Sequence, residues 1–298
     1  MACSPAPPPI SIPKLMPSPK ELGNIDVALV LGGGGVRSVA HVGVLSVLKE
    51  QRIPIQLIVG SSAGSIIGAM YADNPDPWEI KNTLMGLKRS SLLDPSFLQL
   101  MQTPLSLTGP VQGVKLQKFI LDNVKARQFE SLKIPFIAVA TNMSNNHIIQ
   151  LRSGPIAPAV NASSAFPPIF SPVSMYNQTL VDGCVIAPVP VNVAKTYLPK
   201  MVISVDISVK PSEQPLTYAL GLLYRALGIA YFELAKLQAN TADIAIYPNL
   251  ANYGTFDNLN EFDHQNMFYQ GRRAALKALP AIKRHLKKHG IPLLKKDI

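Results

Sequence analysis

The sequence predicts an α/β fold with a mostly parallel sheet and helices on both faces. Apolar, β-branched runs of strand length occupy residues 26–31, 55–59 and 136–141. The first two runs are each followed by a segment with helical spacing of apolar residues, at 39–50 and 63–72. This alternation of strand and helix is typical of parallel sheets, whose strands are connected by helices that pack on the two faces.

Composition predicts one large folded domain over residues 23–298, preceded by a tether over residues 1–22. With 47% hydrophobic residues in 298, the chain can bury a sizeable core. Its two cysteines, Cys3 and Cys184, cannot form a disulfide framework and lack the spacing of metal ligands. No apolar run reaches membrane-spanning length without a charge.

The first twenty residues contain seven prolines and predict an extended tether. The opening Met1-Ala2-Cys3-Ser4 resembles the mature start of a bacterial lipoprotein, in which lipid on Cys3 would anchor the domain to the cell envelope. Alternatively, Cys3 is a free cysteine in a disordered head, and the protein is cytoplasmic or peripheral to a membrane. We expect one of these two arrangements.

The glycine run Gly32-Gly33-Gly34-Gly35 joins the first strand to the first helix. Such a run brings backbone N–H groups close to a ligand, either a phosphate or an oxyanion. A dinucleotide fingerprint would need a glycine where Ser38 stands, and no phosphate-loop lysine follows. The run therefore favours an oxyanion hole. We interpret His41, on the following helix, as a packed or partly exposed residue and not as a base.

Residues Gly60, Ser62 and Gly64 form a G-x-S-x-G pattern between the second strand and its helix. A serine on such a sharp strand-to-helix turn is forced outward, with its hydroxyl at the helix N-terminus. The pattern alone is also compatible with a simple tight turn at the start of a helix rich in small residues. Its context of strand, turn and helix favours a nucleophile elbow.

Further along, residues 75–87 and 113–123 predict helices. Between them the periodicity is lost, which predicts either an apolar flap over the site or an irregular insertion at 88–113. Residues 216–238 predict a long apolar helix that packs in the core, with one edge free to face lipid.

Asp182 ends an apolar run before Gly183, where an acid serves either as a turn former or as a catalytic base.

Four motifs in order resemble the patatin-like phospholipases, most closely their bacterial branch related to the neuropathy target esterase. They are the run from Gly33 to Arg37, the elbow from Gly60 to Gly64, the stretch 162–170, and Asp182-Gly183. The resemblance extends over roughly residues 26–205. It implies a three-layer α/β/α fold and a serine–aspartate dyad without a histidine.

By position in the motifs, the resemblance implies a role for each site residue. Ser62 would be the nucleophile and Asp182 the base, and Arg37 would hold the glycine loop. The oxyanion N–H groups would come from Gly33, Gly34 and Gly35. Ser38 and Cys184 stand where the family usually has a glycine and a glycine or alanine; neither change removes a reacting group.

The implied activity is hydrolysis of lipid acyl esters, of a phospholipid or lysophospholipid, through an acyl-enzyme. No cofactor or metal is implied. The alternatives are acyl transfer to an acceptor other than water and an inactive lipid-binding protein of the envelope. The head group, the acyl position and the oligomeric state are not specified by these residues.

The end of the chain is basic: residues 271–298 contain nine Lys or Arg and one acid, Asp297. Four apolar residues there follow helical spacing, namely Leu276, Leu279, Ile282 and Leu286. We expect a C-terminal helix with one packed face and one charged face. The charged face is either simply solvated or attracts an anionic membrane surface. Nucleic acid is a poor fit, because no aromatic platform or nucleic-acid motif accompanies the charge.

Overall fold

The computed structural model of the chain describes residues 22–87, 91–92, 111–211, 219–255, 257 and 259–295. It contains a mixed, mostly parallel sheet with helices on both faces. The prediction of a three-layer α/β/α fold is confirmed.

Eight strands form the sheet within the described residues. They are β1 (Val27–Leu31), β2 (Ile55–Ser61), β3 (Phe136–Asn142), β4 (His147–Leu151), β5 (Val173–Met175), β6 (Gln178–Asp182), β7 (Met201–Val205) and β8 (Ile244–Ile246). Their order is β5-β6-β3-β2-β1-β7-β8, with β4 beside β3. The strands β3, β2, β1, β7 and β8 run parallel, and β4, β5 and β6 form antiparallel pairs at one side.

Eight α-helices cover the sheet in the part of the chain that the structure describes. They are α1 (Val39–Glu50), α2 (Ala63–Asp73), α3 (Pro77–Met85), α4 (Val114–Asn123), α5 (Ile156–Ser163), α6 (Val191–Lys195), α7 (Ala219–Ala239) and α8 (Glu261–Lys288). Alternate residues of β1 point into two separate cores: Leu29 packs with α1, α2 and α8, and Val30 packs with α6 and α7. The central strands are therefore buried on both faces.

Strand β3 brings two distant segments together at the carboxyl edge of the parallel strands. Its first half pairs with β2, where Val139 lies opposite Ser61, the last residue of that strand. Its second half pairs with β6, where Ala140 lies opposite Asp182. Because Val139 and Ala140 are consecutive, the residue that follows β2 and the residue that ends β6 must be close neighbours.

Two helices differ from their predictions. The amino-terminal half of α7, predicted to pack in the core with one edge free to face lipid, exposes several large apolar side chains: Leu222, Leu223, Tyr224, Leu227 and Ile229. Its packing on the sheet is made by Ala235 and Ala239.

In α8 the buried stripe includes the predicted Ile282 and Leu286. The predicted Leu276 is instead 48% exposed, because the helix packs closely on α1 through Gly271 and Ala275.

Other predictions lie outside the described residues. These are the tether with Cys3, and most of the segment interpreted as a flap or insertion. Among the residues that are described, no helix combines the length and apolar character that a bilayer crossing requires. The same residues contain no cluster of His, Cys, Asp or Glu able to hold a metal ion.

Candidate active site

Ser62 occupies the turn between β2 and α2 in a conformation that few side chains adopt. Its backbone has φ 53° and ψ −126°, a sparsely populated region that costs on the order of 1–3 kcal/mol. The flanking glycines make the turn sterically feasible. A Cβ on Gly64 would overlap the Leu31 carbonyl, and one on Gly60 would lie 2.5 Å from the Gly64 carbonyl oxygen. The predicted elbow residues thus allow α2 to begin directly against β1.

The Ser62 hydroxyl contacts the carboxylate of Asp182. Ser62 Oγ donates to Asp182 Oδ2 at 2.6 Å. The other carboxylate oxygen, Oδ1, accepts from the backbone N–H of Cys184 at 2.8 Å. With one oxygen held by the backbone, the second is presented to the hydroxyl. The structure therefore brings together the two predicted catalytic residues, which are 120 positions apart.

Asp182 is fully buried, and its main chain is fixed on both sides. Its N–H donates to the Ala165 carbonyl at 3.0 Å, and its carbonyl accepts from Thr141 Oγ1 at 3.0 Å. Burial raises the pKa of the Asp182 carboxyl to about 6, against the opposing effect of the hydrogen bonds from Ser62 and Cys184. A carboxylate with a pKa in this range is a stronger base than a solvated one and is still ionised at neutral pH.

The Ser62 N–H is held by Ser163, whose contact with the elbow was not predicted from the sequence. That N–H lies 3.1 Å from both the carbonyl oxygen and Oγ of Ser163. Ser163 Oγ in turn donates to the Val139 carbonyl at 2.6 Å. The last residue of α5 thereby ties the elbow to β3. The place of Ser163 inside the stretch 162–170, one of the four motifs, was the only sequence signal for this contact.

The glycine loop lies directly against Ser62. A Cβ on Gly33 would overlap Cys184 Sγ and lie 3.1 Å from Ser62 Cβ. Gly35 has φ 60°, and a Cβ there would overlap the Thr255 carbonyl. These close approaches explain why glycines occupy both positions.

The three predicted oxyanion donors differ in their hydrogen bonding. The Gly33 N–H donates to the Pro188 carbonyl at 3.0 Å, so it already has an acceptor. The N–H groups of Gly34 and Gly35 donate to no acceptor among the described residues. Within the described part of the chain, two of the three predicted donors thus have no protein acceptor.

Arg37 is almost fully buried behind the loop, where Nη1 donates to the Tyr253 carbonyl at 3.2 Å. Burial lowers the pKa of its guanidinium, while nearby groups including Asp206 oppose that effect. The neighbouring Val36 N–H donates to the Thr255 carbonyl at 3.2 Å. Arg37 thus connects the loop to the segment that precedes α8.

His41 is fully buried within α1, the first of its two predicted alternatives, and contacts the glycine loop. Its Nε2 lies 2.8 Å from the Gly32 carbonyl oxygen. Burial lowers the pKa of the imidazole to about 4, so the ring is neutral and Nε2–H donates to that carbonyl. His41 therefore helps to fix the loop, and its Nε2 is not available as a base.

Cys184, one of the two departures from the family pattern, fills the space between Gly33 and the dyad. Its Sγ is 3.6 Å from Ser61 Oγ. Burial raises the pKa of the thiol well above its usual range, so the thiol stays protonated beside Asp182. The other departure, Ser38, ends a short 3₁₀-helix before α1.

A cleft of about 460 Å³ lies elsewhere, at the amino ends of β2 and β3. It is lined by residues that include Gln56, Pro135 and Phe136. Ser62 and Asp182 lie at the opposite edge of the sheet. The position of the dyad, and not the size of this cleft, identifies the candidate active site.

Comparison with known proteins agrees with the geometry. The family model described as patatin-like phospholipase matches residues 29–195. An uncharacterized NTE family protein of Mycobacterium tuberculosis is 33% identical over 184 residues, covering 59% of this chain and 48% of that protein. The human patatin-like phospholipase domain-containing protein 6 is 30% identical over 200 residues, covering 64% of this chain and 14% of that protein. The match thus spans about half, or less, of these relatives.

Solved structures share the fold at low sequence identity. VipD from Legionella pneumophila superposes with a TM-score of 0.55 at 13% identity, covering 88% of this chain and 67% of VipD. Full-length ExoU of Pseudomonas aeruginosa, in complex with SpcU, gives a TM-score of 0.50 at 13% identity, covering 89% of this chain and 53% of the other. Because the family model covers more than half of the sequence, the chain belongs to the patatin-like phospholipase family.

Proposed function

We propose that the protein is a serine acyl hydrolase that cleaves the acyl esters of a phospholipid or lysophospholipid. The observation that carries the proposal is the 2.6 Å hydrogen bond from Ser62 Oγ to the buried Asp182 carboxylate, on an elbow beside the glycine loop. Family membership supports a lipid substrate.

In the first half-reaction, Asp182 takes the proton of Ser62 Oγ as this oxygen attacks the ester carbonyl. The carbonyl oxygen becomes an oxyanion, which the N–H groups of Gly34 and Gly35 stabilise. The tetrahedral intermediate then collapses. The leaving alcohol receives the proton from Asp182, and the acyl group remains on Ser62 as an ester.

The second half-reaction repeats these steps with water. Asp182 removes a proton from water, the resulting hydroxide attacks the acyl-enzyme, and Gly34 and Gly35 again bind the oxyanion. Collapse releases the fatty acid and returns the proton to Ser62 Oγ. If an alcohol replaces water in this step, the product is a transferred acyl ester, which is the alternative activity.

A fluorophosphonate probe combined with product analysis tests the proposal. We expect the probe to label Ser62, and we expect a panel of phospholipids and lysophospholipids to release free fatty acid detectable by mass spectrometry. Transfer of the acyl group to an added alcohol in preference to water would identify an acyltransferase. Absence of both labelling and product in detergent and in lipid would identify an inactive binding protein.

The raised pKa of Asp182 predicts a pH dependence for the reaction. Asp182 must be ionised to accept a proton, so kcat/KM for a soluble short-chain ester should fall as pH decreases through about 6. His41, with a pKa of about 4, does not titrate in that range. Initial rates measured at constant ionic strength check this. A value of kcat/KM that does not fall as pH decreases through about 6 would contradict Asp182 as the base.

We propose in addition that anionic lipid surfaces attract the protein through the basic end of α8. Arg284, Lys287 and Lys288 are all exposed there. Vesicle binding should strengthen with the fraction of anionic lipid and weaken with salt, because the field is screened over about 8 Å at physiological ionic strength. Sedimentation with vesicles measures this binding.

Replacing Arg284, Lys287 and Lys288 together by Gln should remove much of this binding. Lys118→Gln serves as the control, since Lys118 lies on α4 and already pairs with Asp122 at 2.9 Å. Equal binding of the wild type to neutral and anionic vesicles at low salt would contradict the electrostatic attraction.

A further inference from the structure

Tyr231 of α7 makes a hydrogen bond to the glycine loop that no motif indicates. Its hydroxyl donates to the Gly33 carbonyl oxygen at 2.6 Å. Burial raises the pKa of the phenol well above its usual range, which keeps the hydroxyl protonated and able to donate. The contact joins helix α7 on one face of the sheet to the loop that lies against Ser62.

The Gly33 carbonyl and the Gly34 N–H belong to the same peptide group. A trans peptide is planar, so its C=O and N–H point in opposite directions. A hydrogen bond that fixes the direction of the Gly33 carbonyl therefore also fixes the direction of the Gly34 N–H. That N–H is one of the two predicted oxyanion donors that have no acceptor among the described residues.

This peptide needs an external restraint because glycines flank it on both sides. Glycine has access to a wide range of φ and ψ, and a peptide between two glycines can rotate at low cost. The preceding peptide is held at both ends, since the Gly33 N–H donates to the Pro188 carbonyl and the Gly32 carbonyl contacts His41. Tyr231 supplies the corresponding contact for the next peptide.

We propose that Tyr231 is a positioning residue for the oxyanion hole: its hydroxyl orients the Gly33–Gly34 peptide so that the Gly34 N–H points at the oxyanion. The inference rests on the proposed hydrolase function. By accepting a hydrogen bond at its oxygen, the peptide also becomes a stronger donor at its nitrogen. Tyr231 itself does not touch the substrate.

The variant Tyr231→Phe removes the hydroxyl and keeps the ring. Loss of an oxyanion donor costs about 10²–10³-fold in kcat, so misorientation of one donor should cost about 10-fold or more. KM for a soluble short-chain ester should change little, since the Gly34 N–H binds the oxyanion, which develops only in the transition state. Tyr197→Phe, which removes a tyrosine hydroxyl that donates to Gln150 Oε1 and not to the loop, is the matched control and should keep the wild-type kcat.

A transition-state analogue separates positioning from a general structural role. A trifluoromethyl ketone forms a tetrahedral oxyanion on Ser62, so its affinity should fall in Tyr231→Phe by the same factor as kcat/KM. Replacement of Tyr231 by 4-aminophenylalanine keeps an N–H donor at the same place and should recover most of the lost turnover. It also provides a second variant if the Phe protein does not fold.

Three outcomes would overturn the inference. The first is a folded Tyr231→Phe protein with kcat and analogue affinity within twofold of the wild type. The second is a loss of kcat with unchanged analogue affinity. The third is a failure of the 4-aminophenylalanine variant to recover turnover while folded. Ser62→Ala is the separate test of the hydrolase function. Full activity in that variant would remove the proposed function itself.

Discussion

Ser62→Ala is expected to reduce hydrolysis of a short-chain acyl ester by at least about 10³-fold while the protein stays folded. The Ser62 Oγ forms the covalent bond to the acyl group, and alanine has no atom that can replace it. The substitution deletes only the oxygen that donates to Asp182. Turnover of a chromogenic ester and circular dichroism check activity and fold, and the fluorophosphonate label should be lost in parallel.

The neighbouring serines are the controls for this experiment. Ser61 Oγ lies beside Cys184 Sγ, and Ser65 Oγ donates to the Ser62 carbonyl at 2.7 Å. Neither hydroxyl contacts the Asp182 carboxylate, so Ser61→Ala and Ser65→Ala should cost far less activity. Activity near the wild-type level in Ser62→Ala would place the nucleophile elsewhere.

Asp182→Asn is expected to reduce turnover by a factor similar to that of Ser62→Ala. The amide cannot accept the serine proton, and two groups that act as a unit lose most of their effect when either is removed. The double variant should therefore be scarcely slower than either single variant. Steady-state kinetics of the three proteins on one soluble ester measure this non-additivity.

The same substitution should stabilise the protein at neutral pH. Burial raises the pKa of Asp182 in the folded state to about 6. The folded wild type therefore loses stability relative to the unfolded chain as pH rises through about 6, where the buried carboxyl loses its proton. An amide avoids the buried charge, at a gain on the order of 3 kcal/mol from about 1.4 kcal/mol per pKa unit. The gain should vanish well below pH 4. Chemical denaturation at both pH values checks it and shows that the inactive variant is folded.

Histidine variants test the alternative that a histidine, and not Asp182, is the catalytic base. His147, His264, His285 and His289 should each tolerate Ala with most activity retained. Substitution of His41 also removes its contact with the Gly32 carbonyl, so it is interpreted together with a stability measurement. A folded but inactive histidine variant, beside an Asp182→Asn protein that is only slowed, would make a histidine the base.

The dyad could be anticipated from the sequence because its residues lie in short local patterns. Gly60, Ser62 and Gly64 fall within five positions, and the turn that they form is a local property of strand and helix. The association with Asp182 depends on β3, whose Val139 and Ala140 pair with the two segments. The spacing of residues does not encode that register, and only the resemblance to the family supplied the partner.

The contacts made by Ser163, Pro188 and Tyr231 could not be anticipated. Pro188 acts through its backbone carbonyl, which any residue possesses. Tyr231 reaches the loop from a helix 198 positions away in sequence. The exposure of α7 exceeds the single lipid-facing edge that was predicted, for a related reason. Apolar composition predicts burial only when a neighbouring element covers it, and composition does not specify neighbours.

The exposed apolar residues and the exposed cations lie at opposite ends of the parallel strands. Leu222 and Leu223 precede Tyr231 on α7, which contacts the loop at the edge that carries Ser62. The basic end of α8 lies at the other edge, where His285 is 3.2 Å from the carbonyl of Lys200, the residue before β7.

Under the proposed attraction of the α8 cations to a bilayer, adhesion and turnover are expected to need different orientations of the molecule. A protein held by its cations would face the bilayer with the amino edge of the sheet and turn Ser62 towards water. Turnover would need the reverse orientation, with the leucines of α7 towards lipid. The amount of protein bound to a strongly anionic vesicle should then overstate the amount that is productively oriented, and a rate divided by bound protein should understate kcat.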